Sequence, residues 1–164
     1  VAPSRGLGDV YKRQLYEQWD LLKNNHKAVL LGLTAGVVTS LVTVLVLSLL
    51  LGLSHEEYVT MLPKSITTAI GMGVSEELGG YVTITVAVII VTGVLGNMFG
   101  ELICKVFKIE EPISKGLAFG SAAHAIGTAK AMEIGEIEGA MSSLAIAVSG
   151  ILTVILSSVF AHFL

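Results

Sequence analysis

The 164-residue chain carries 10 Lys and Arg against 13 Asp and Glu, a net charge of −3, and only 14% of its residues are charged while 53% are hydrophobic. A soluble domain carries roughly 25% charged residues, so with a mean hydropathy of +0.80 an ordinary soluble protein is excluded, and the acidic balance gives no support for the clustered basic face of a nucleic-acid binder. The one cysteine, Cys104, excludes an internal disulfide and a multi-cysteine metal site; as a small apolar filler it needs no further role.

In chain order, residues 1–14 (VAPSRGLGDVYKRQ) lack an initiator methionine, the apolar core of a signal peptide and any helical period. The string RGLGDVYKRQ resembles a translated adaptor of the kind found at the ends of assembled gene models. Residues 1–14 are therefore set aside as non-native or disordered, with true upstream sequence expected to be missing and the membrane domain taken as residues 15–164. Three runs without Asp, Glu, Lys or Arg follow, at residues 28–53, 81–100 and 139–161, each of the length a bilayer crossing needs. The first contains LVTVLVLSLLLGL, which does not alternate as a barrel strand would. The expected fold is an all-α integral membrane bundle with three full transmembrane helices.

Between these runs one segment occurs twice. Residues 65–79 (SITTAIGMGVSEELG) recur 56 positions later as residues 121–135 (SAAHAIGTAKAMEIG). Ser65 matches Ser121, Ala69-Ile70-Gly71 matches Ala125-Ile126-Gly127, Glu77 matches Glu133, and Gly79 matches Gly135, whereas Thr68 faces His124. Duplicated glycine-broken segments in a hydrophobic chain point to a transporter's binding site. Lys23, His26 and Lys27 precede the first run and Lys105, Lys108 and Lys115 follow the second, whereas His55, Glu56 and Glu57 follow the first with a single Lys64. The positive-inside rule puts the first two groups in the cytoplasm and the third outside. The first copy then enters and leaves on the outside and the second on the cytoplasmic side, two re-entrant or half-helix segments forming an inverted repeat. The rival reading makes both copies spanning broken helices, at the cost of placing Lys105 and Lys108 outside.

Ionisable groups at membrane depth are costly and usually face a cavity, a pathway or a partner. His124 is the leading candidate; the bland alternative is an imidazole bonded to a neighbouring helix's backbone. Lys130 and Glu133, three apart, can pair on one helix face, either at a site or at the interface. Glu136 and Glu138 read as solvated residues before the third run. Ser65, Thr67 and Thr68 offer hydroxyls beside Gly71 and Gly73, where bare backbone lets a ligand approach, and a half-helix end aims amides and positive partial charge at its break. That combination favours a small anion. Lys64 either draws one in or anchors the segment at the outer interface. Asn97 and Glu101 read as pathway candidates or as an interhelical hydrogen bond and a snorkelling acid. Gly32/Gly36, Gly96/Gly100 and Gly116/Gly120 have the GxxxG spacing that lets helices pack closely. Ser142-Ser143 and Ser157-Ser158 read as packing residues. No nucleophile, zinc or phosphate-loop motif is present, so no enzyme, metal or cofactor is expected.

The stretch PISKGLAFGSAAHAIGTAKAMEIGEIEGAMSSLAIAVSGILTVIL, preceded by MLPKSITTAIGMGVSEELGG, closely resembles the LrgB/CidB family of bacterial membrane proteins, from about residue 15 to residue 164. The resemblance implies a multi-pass protein of the bacterial cytoplasmic membrane and a small holin-like partner of the LrgA/CidA type. It also implies one of two functions. Members are described as antiholin-like, restraining or promoting murein hydrolase activity and autolysis. A related plant plastid protein exchanges glycolate and glycerate, and bacterial pairs are linked to pyruvate movement. The residue pattern favours the carrier: amides around Gly71 and Gly127 with Ser65, Thr68 and Ser121 would receive a small carboxylate. His124 and Lys130 would add donors or titrate, and Glu77 and Glu133 would orient the segments. The GxxxG faces also admit a homo-oligomer.

Overall fold

The computed structural model describes the backbone of residues 4–164 and the side chains of Lys23 and residues 25–164. Every regular element among them is helical: α1 (Ser4–Leu51), α2 (His55–Met61), α3 (Thr68–Glu77), α4 (Val82–Val106), α5 (Pro112–Ile134) and α6 (Glu136–Phe160), closed by a 3₁₀ turn at Ala161–Phe163. Among the described residues three stretches are long and apolar enough to cross a membrane, Asn25–Leu51, Val82–Val106 and Glu136–Phe163. They coincide with the three expected runs, with shifted ends. The second extends past residue 100 because Glu101 and Lys105 are helix formers that only the charge count had cut away. The third starts at Glu136, so Glu136 and Glu138 form the first turn of α6 and do not precede it, and Glu138 is buried rather than solvated. The side chains of the proposed adaptor at residues 1–14 lie outside the described residues, and α1 begins at Ser4.

Local chemistry sets each boundary. α1 stops at Gly52, whose φ of +66° lets the Leu53 amide turn back to the Ser48 carbonyl at 3.0 Å, a helix-closing pattern that glycine accepts most cheaply. Ser54 and Glu57 then cap α2 reciprocally. Gly79, at φ +80°, closes α3 in the same way, with the Gly80 amide 2.7 Å from the Ser75 carbonyl. Glu111 caps α5 by accepting from the Ile113 and Ser114 amides, and Pro112 occupies the first helical position, where its missing N–H costs nothing. Burial alone would raise the Glu111 carboxyl, but the bonds from Ser114 and Ile113 outweigh it and hold the group below the usual carboxylate range.

Within residues 32–164 the helices distribute polarity inside out. Ile90, Val91, Leu95, Met98, Phe99 and Leu102 of α4 are exposed, while Thr60, Ser75, Thr85, Ser142 and Ser149 are buried. Apolar surface outward and small hydroxyls inward is the arrangement helices take in lipid. The buried hydroxyls are paired: Thr85 donates to the Thr60 carbonyl or Ser75 Oγ, and the Tyr81 amide donates to Thr60 Oγ1. This knot fastens the start of α4 to α2 and the end of α3. The Tyr58 hydroxyl donates to the Phe160 carbonyl, bringing the end of α6 to the same place. At the other end of α4, Cys104 clusters with Phe119 and Ala131, flanked by Ile109 and Ile134, so both ends of α5 sit beside the end of α4.

α5 is two limbs and not one rod. Ala123 (φ −128°, ψ 15°) and His124 (φ 42°, ψ −138°) leave helical geometry, three residues before the glycine expected to break it. α3 likewise runs unbroken through Gly71 and Gly73 and starts at Thr68. Extended Thr67, just before α3, is equivalent to Ala123 across the 56-residue offset, so both copies leave helical geometry at the same register, and neither breaks at its glycine.

Candidate functional site

The glycines that do not break the helices seat them. Space for a side chain at Gly93 is taken by the His124 ring, at Gly96 by Ala123 and at Gly100 by Phe119, so the bare strip of α4 receives the kink of α5. Gly116 and Gly120 receive the Glu138, Met141, Ser142 and Ala145 region of α6. These GxxxG strips are internal packing surfaces; among the motif glycines, Gly32 alone has open space around it.

Ile89 joins the two copies. Its side chain fills the space over Gly71, and its carbonyl lies 2.9 Å from His124 Nε2. A carbonyl only accepts, so Nε2 carries the proton and the bond fixes the tautomer. The His124 carbonyl in turn accepts from Thr128, whose Oγ1 is 2.6 Å from Ser142 Oγ. His124 is 4% exposed and bonded to a neighbouring helix's backbone. Gly71 and Gly127 serve packing: the Gly71 amide is spent on the Thr67 carbonyl at 2.9 Å, and Gly127 is crowded by Ala123 and the Phe119 carbonyl.

The matched serines take different roles. Ser121 donates to the Leu117 carbonyl at 2.7 Å, with its oxygen 3.9 Å from where a Cβ of Gly36 would stand. Ser65 instead accepts from Lys64 Nζ at 2.9 Å, and the same ammonium donates to Ser40 Oγ at 3.0 Å. Gly36 and Ser40 are one turn apart on α1, so both serines of the repeat address one stretch of that helix. The position is deep. Ser40 lies near the middle of Asn25–Leu51, Gly93 and Gly96 straddle the middle of Val82–Val106, and Ile70 rests beside Gly150 at the middle of Glu136–Phe163.

Lys64, expected either to draw in an anion or to anchor the segment at the outer interface, is half-buried and bonded to Ser40 of mid-span α1. Ser40 carried no expectation, because a serine inside an apolar run gives no signal until its neighbour is known. Thr68 opens α3, and Thr67 makes no side-chain cap to it. Glu77 is exposed at the far end of α3. Lys130 is held by Glu133 at 3.1 Å and Glu101 at 3.7 Å, and Glu133's hydrogen bond and charge keep its ammonium above the usual lysine range. Asn97 donates to the Ile126 carbonyl at 2.9 Å, an interhelical tie. A cavity of about 170 Å³ opens beside the end of α4 between Lys105, Lys108, Lys115, Glu101 and Glu110. Among the described residues no cluster of three His, Cys, Asp or Glu groups could hold a metal ion.

The comparisons agree with this membrane architecture. "Antiholin-like protein LrgB" of Bacillus mycoides (strain KBAB4) is 39% identical over 150 residues, covering 92% of this chain and 65% of the relative. The proteins of the same name from Bacillus cereus (strain B4264) and Bacillus anthracis (strain CDC 684 / NRRL 3495) are 38% identical over the same shares. The chain thus spans about two thirds of the length of the curated relatives it matches. No solved structure matches. The LrgB-like family matches residues 13–163, and with three apolar helices long enough to span a bilayer the chain belongs to that family of membrane proteins.

Proposed function

We propose that the chain forms the substrate-binding part of a carrier for small monocarboxylates of the pyruvate, glycolate or glycerate type. It acts in the bacterial cytoplasmic membrane with a small LrgA/CidA-type partner. The observation that carries the reading is the approach of Ser65 and Ser121, equivalent residues of the two copies, to one stretch of α1 near mid-span. A site at the bilayer middle between two repeats is where secondary transporters bind.

The inverted arrangement rests on which ends meet. α2 and α3 begin and finish beside the start of α4, fastened by Thr60, Ser75 and Thr85. Both ends of α5 lie beside the end of α4. Two hairpins that start from opposite ends of one spanning helix and turn at its middle are re-entrant segments of opposite sense. The cavity beside the end of α4, lined by three lysines and two glutamates, carries a small excess of positive charge that would favour anions near the second of them.

A second reading, an antiholin-like regulator without transport of its own, draws on the name of the relatives. Its partner face is narrower than the glycine motifs promised, because Gly96, Gly100, Gly116 and Gly120 are filled from within the chain. Radiolabelled pyruvate or glycolate uptake into liposomes, with and without the small partner, tests the choice. The carrier reading expects uptake that saturates with substrate; a protein that inserts and binds its partner but passes no carboxylate would support the regulator.

A further inference from the structure

The two cations at the repeats are satisfied in opposite ways. Lys130 has two carboxylates within reach. Lys64 has two hydroxyl oxygens, from Ser40 and Ser65, and no carboxylate at ion-pair distance among the described residues. Hydroxyls solvate an ammonium without neutralising it, and a lysine charge near the bilayer centre is costly. To stay protonated there the ammonium needs a counter-charge.

The hydrogen-bond inventory says what kind. An ammonium has three protons, and two are directed at serine oxygens. Each serine hydroxyl has one proton of its own, and for neither is an acceptor present among the described residues, unlike Ser121, whose proton goes to Leu117. One N–H of Lys64 and two serine O–H donors thus have no protein acceptor among the described residues, next to the uncapped first turn of α3. One charge and three converging donors fit one carboxylate, which has two oxygens and about four acceptor sites. A dicarboxylate would leave one negative charge uncompensated.

We propose that Lys64, with the hydroxyls of Ser40 and Ser65, is the anion-binding head of the site and takes the carboxylate of a monocarboxylate ligand. This rests on the carrier reading and assigns its charge recognition to the first copy. His124 then serves the architecture around Ile89 and Gly93 rather than contacting the carboxylate.

Uptake of glycolate and pyruvate into liposomes is measured for the wild-type protein, for Lys64→Met, for Lys64→Arg and for the Ser40→Ala/Ser65→Ala pair. Losing a charge-assisted carboxylate contact is expected to raise KM about 10- to 100-fold in Lys64→Met. Lys64→Arg keeps the charge and should lie between it and wild type. The paired serine variant keeps the lysine and should raise KM several-fold. Succinate and chloride, added as competitors at equal concentration, should inhibit less than formate or glycolate. Saturable wild-type uptake with an unchanged KM in Lys64→Met overturns the assignment and leaves the carrier reading standing. If Lys64→Met does not reach the membrane, an unchanged KM in the serine pair overturns it instead. Absence of saturable wild-type uptake removes both.

Discussion

Gly120→Val is expected to destabilise the protein by about 3 kcal/mol or more, and Gly96→Val by a similar amount, while Gly32→Val changes stability by less than about 0.5 kcal/mol. At Gly120 a side chain would enter the Ser142 carbonyl and come within 2.8 Å of Ala145 Cβ, and at Gly96 it would enter Ala123. Backbone on a facing helix cannot rotate away as a side chain can. Nothing stands within 4 Å of a Cβ at Gly32. Thermal unfolding of detergent-solubilised protein reads all three. The comparison also bears on partner binding. If Gly32→Val weakens association with an LrgA-type protein while stability is unchanged, the open glycine is a contact face; a Gly120→Val protein as stable as wild type would contradict the packing described here.

Replacing His124 is expected to separate backbone strain from side-chain loss. His124 holds φ at 42° with ψ at −138°, a region where a residue bearing a Cβ pays about 1–3 kcal/mol and glycine pays little. His124→Ala keeps that strain and loses both the ring under Gly93 and the bond to the Ile89 carbonyl. His124→Gly loses the same ring but relaxes the backbone, so it should be more stable than His124→Ala by about 1 kcal/mol. Under the carrier reading both variants lose most transport, since the imidazole ties the second copy to Ile89, on which Gly71 of the first copy rests. Equal stability would remove the strain argument. Normal uptake by His124→Ala would remove His124 from the working site altogether.

The legible part of this molecule was its periodicity and its self-similarity. Apolar runs at residues 28–53, 81–100 and 139–161 marked the three spanning helices because lipid permits few charges over about 20 residues. The repeat marked equivalent positions, and Thr68 and His124, singled out as the point where the copies differ, lie within one residue of where each segment departs from helix. The positions of the breaks themselves were not legible. Gly71, Gly73 and Gly127 looked like breakers, yet glycine in a helix costs only about 1 kcal/mol, and close packing on Ile89 and Phe119 repays it. The kink at Ala123 and His124 depends on room provided by Gly93 and Gly96 on another helix, which no local pattern encodes. Lys64 was misplaced for a related reason. Charge counting assigns any lysine outside an apolar run to the interface, whereas the turn around Pro63 brings this one to Ser40, a residue inside such a run. Glu138 looked solvated beside Glu136, but the first turn of α6 packs it against Gly135.

Under the carrier reading the two repeated segments share one site at mid-membrane, and ligand protection of single cysteines placed at Ser65 and at Ser121 in a Cys104→Ser background checks this. Each variant, reconstituted in liposomes, is labelled with a small thiol reagent with and without saturating glycolate, pyruvate or glycerate. A shared site predicts that the same carboxylate slows labelling at both positions. Protection at one position with unchanged labelling at the other would contradict it, and would mean that the duplicated segments do not share a site.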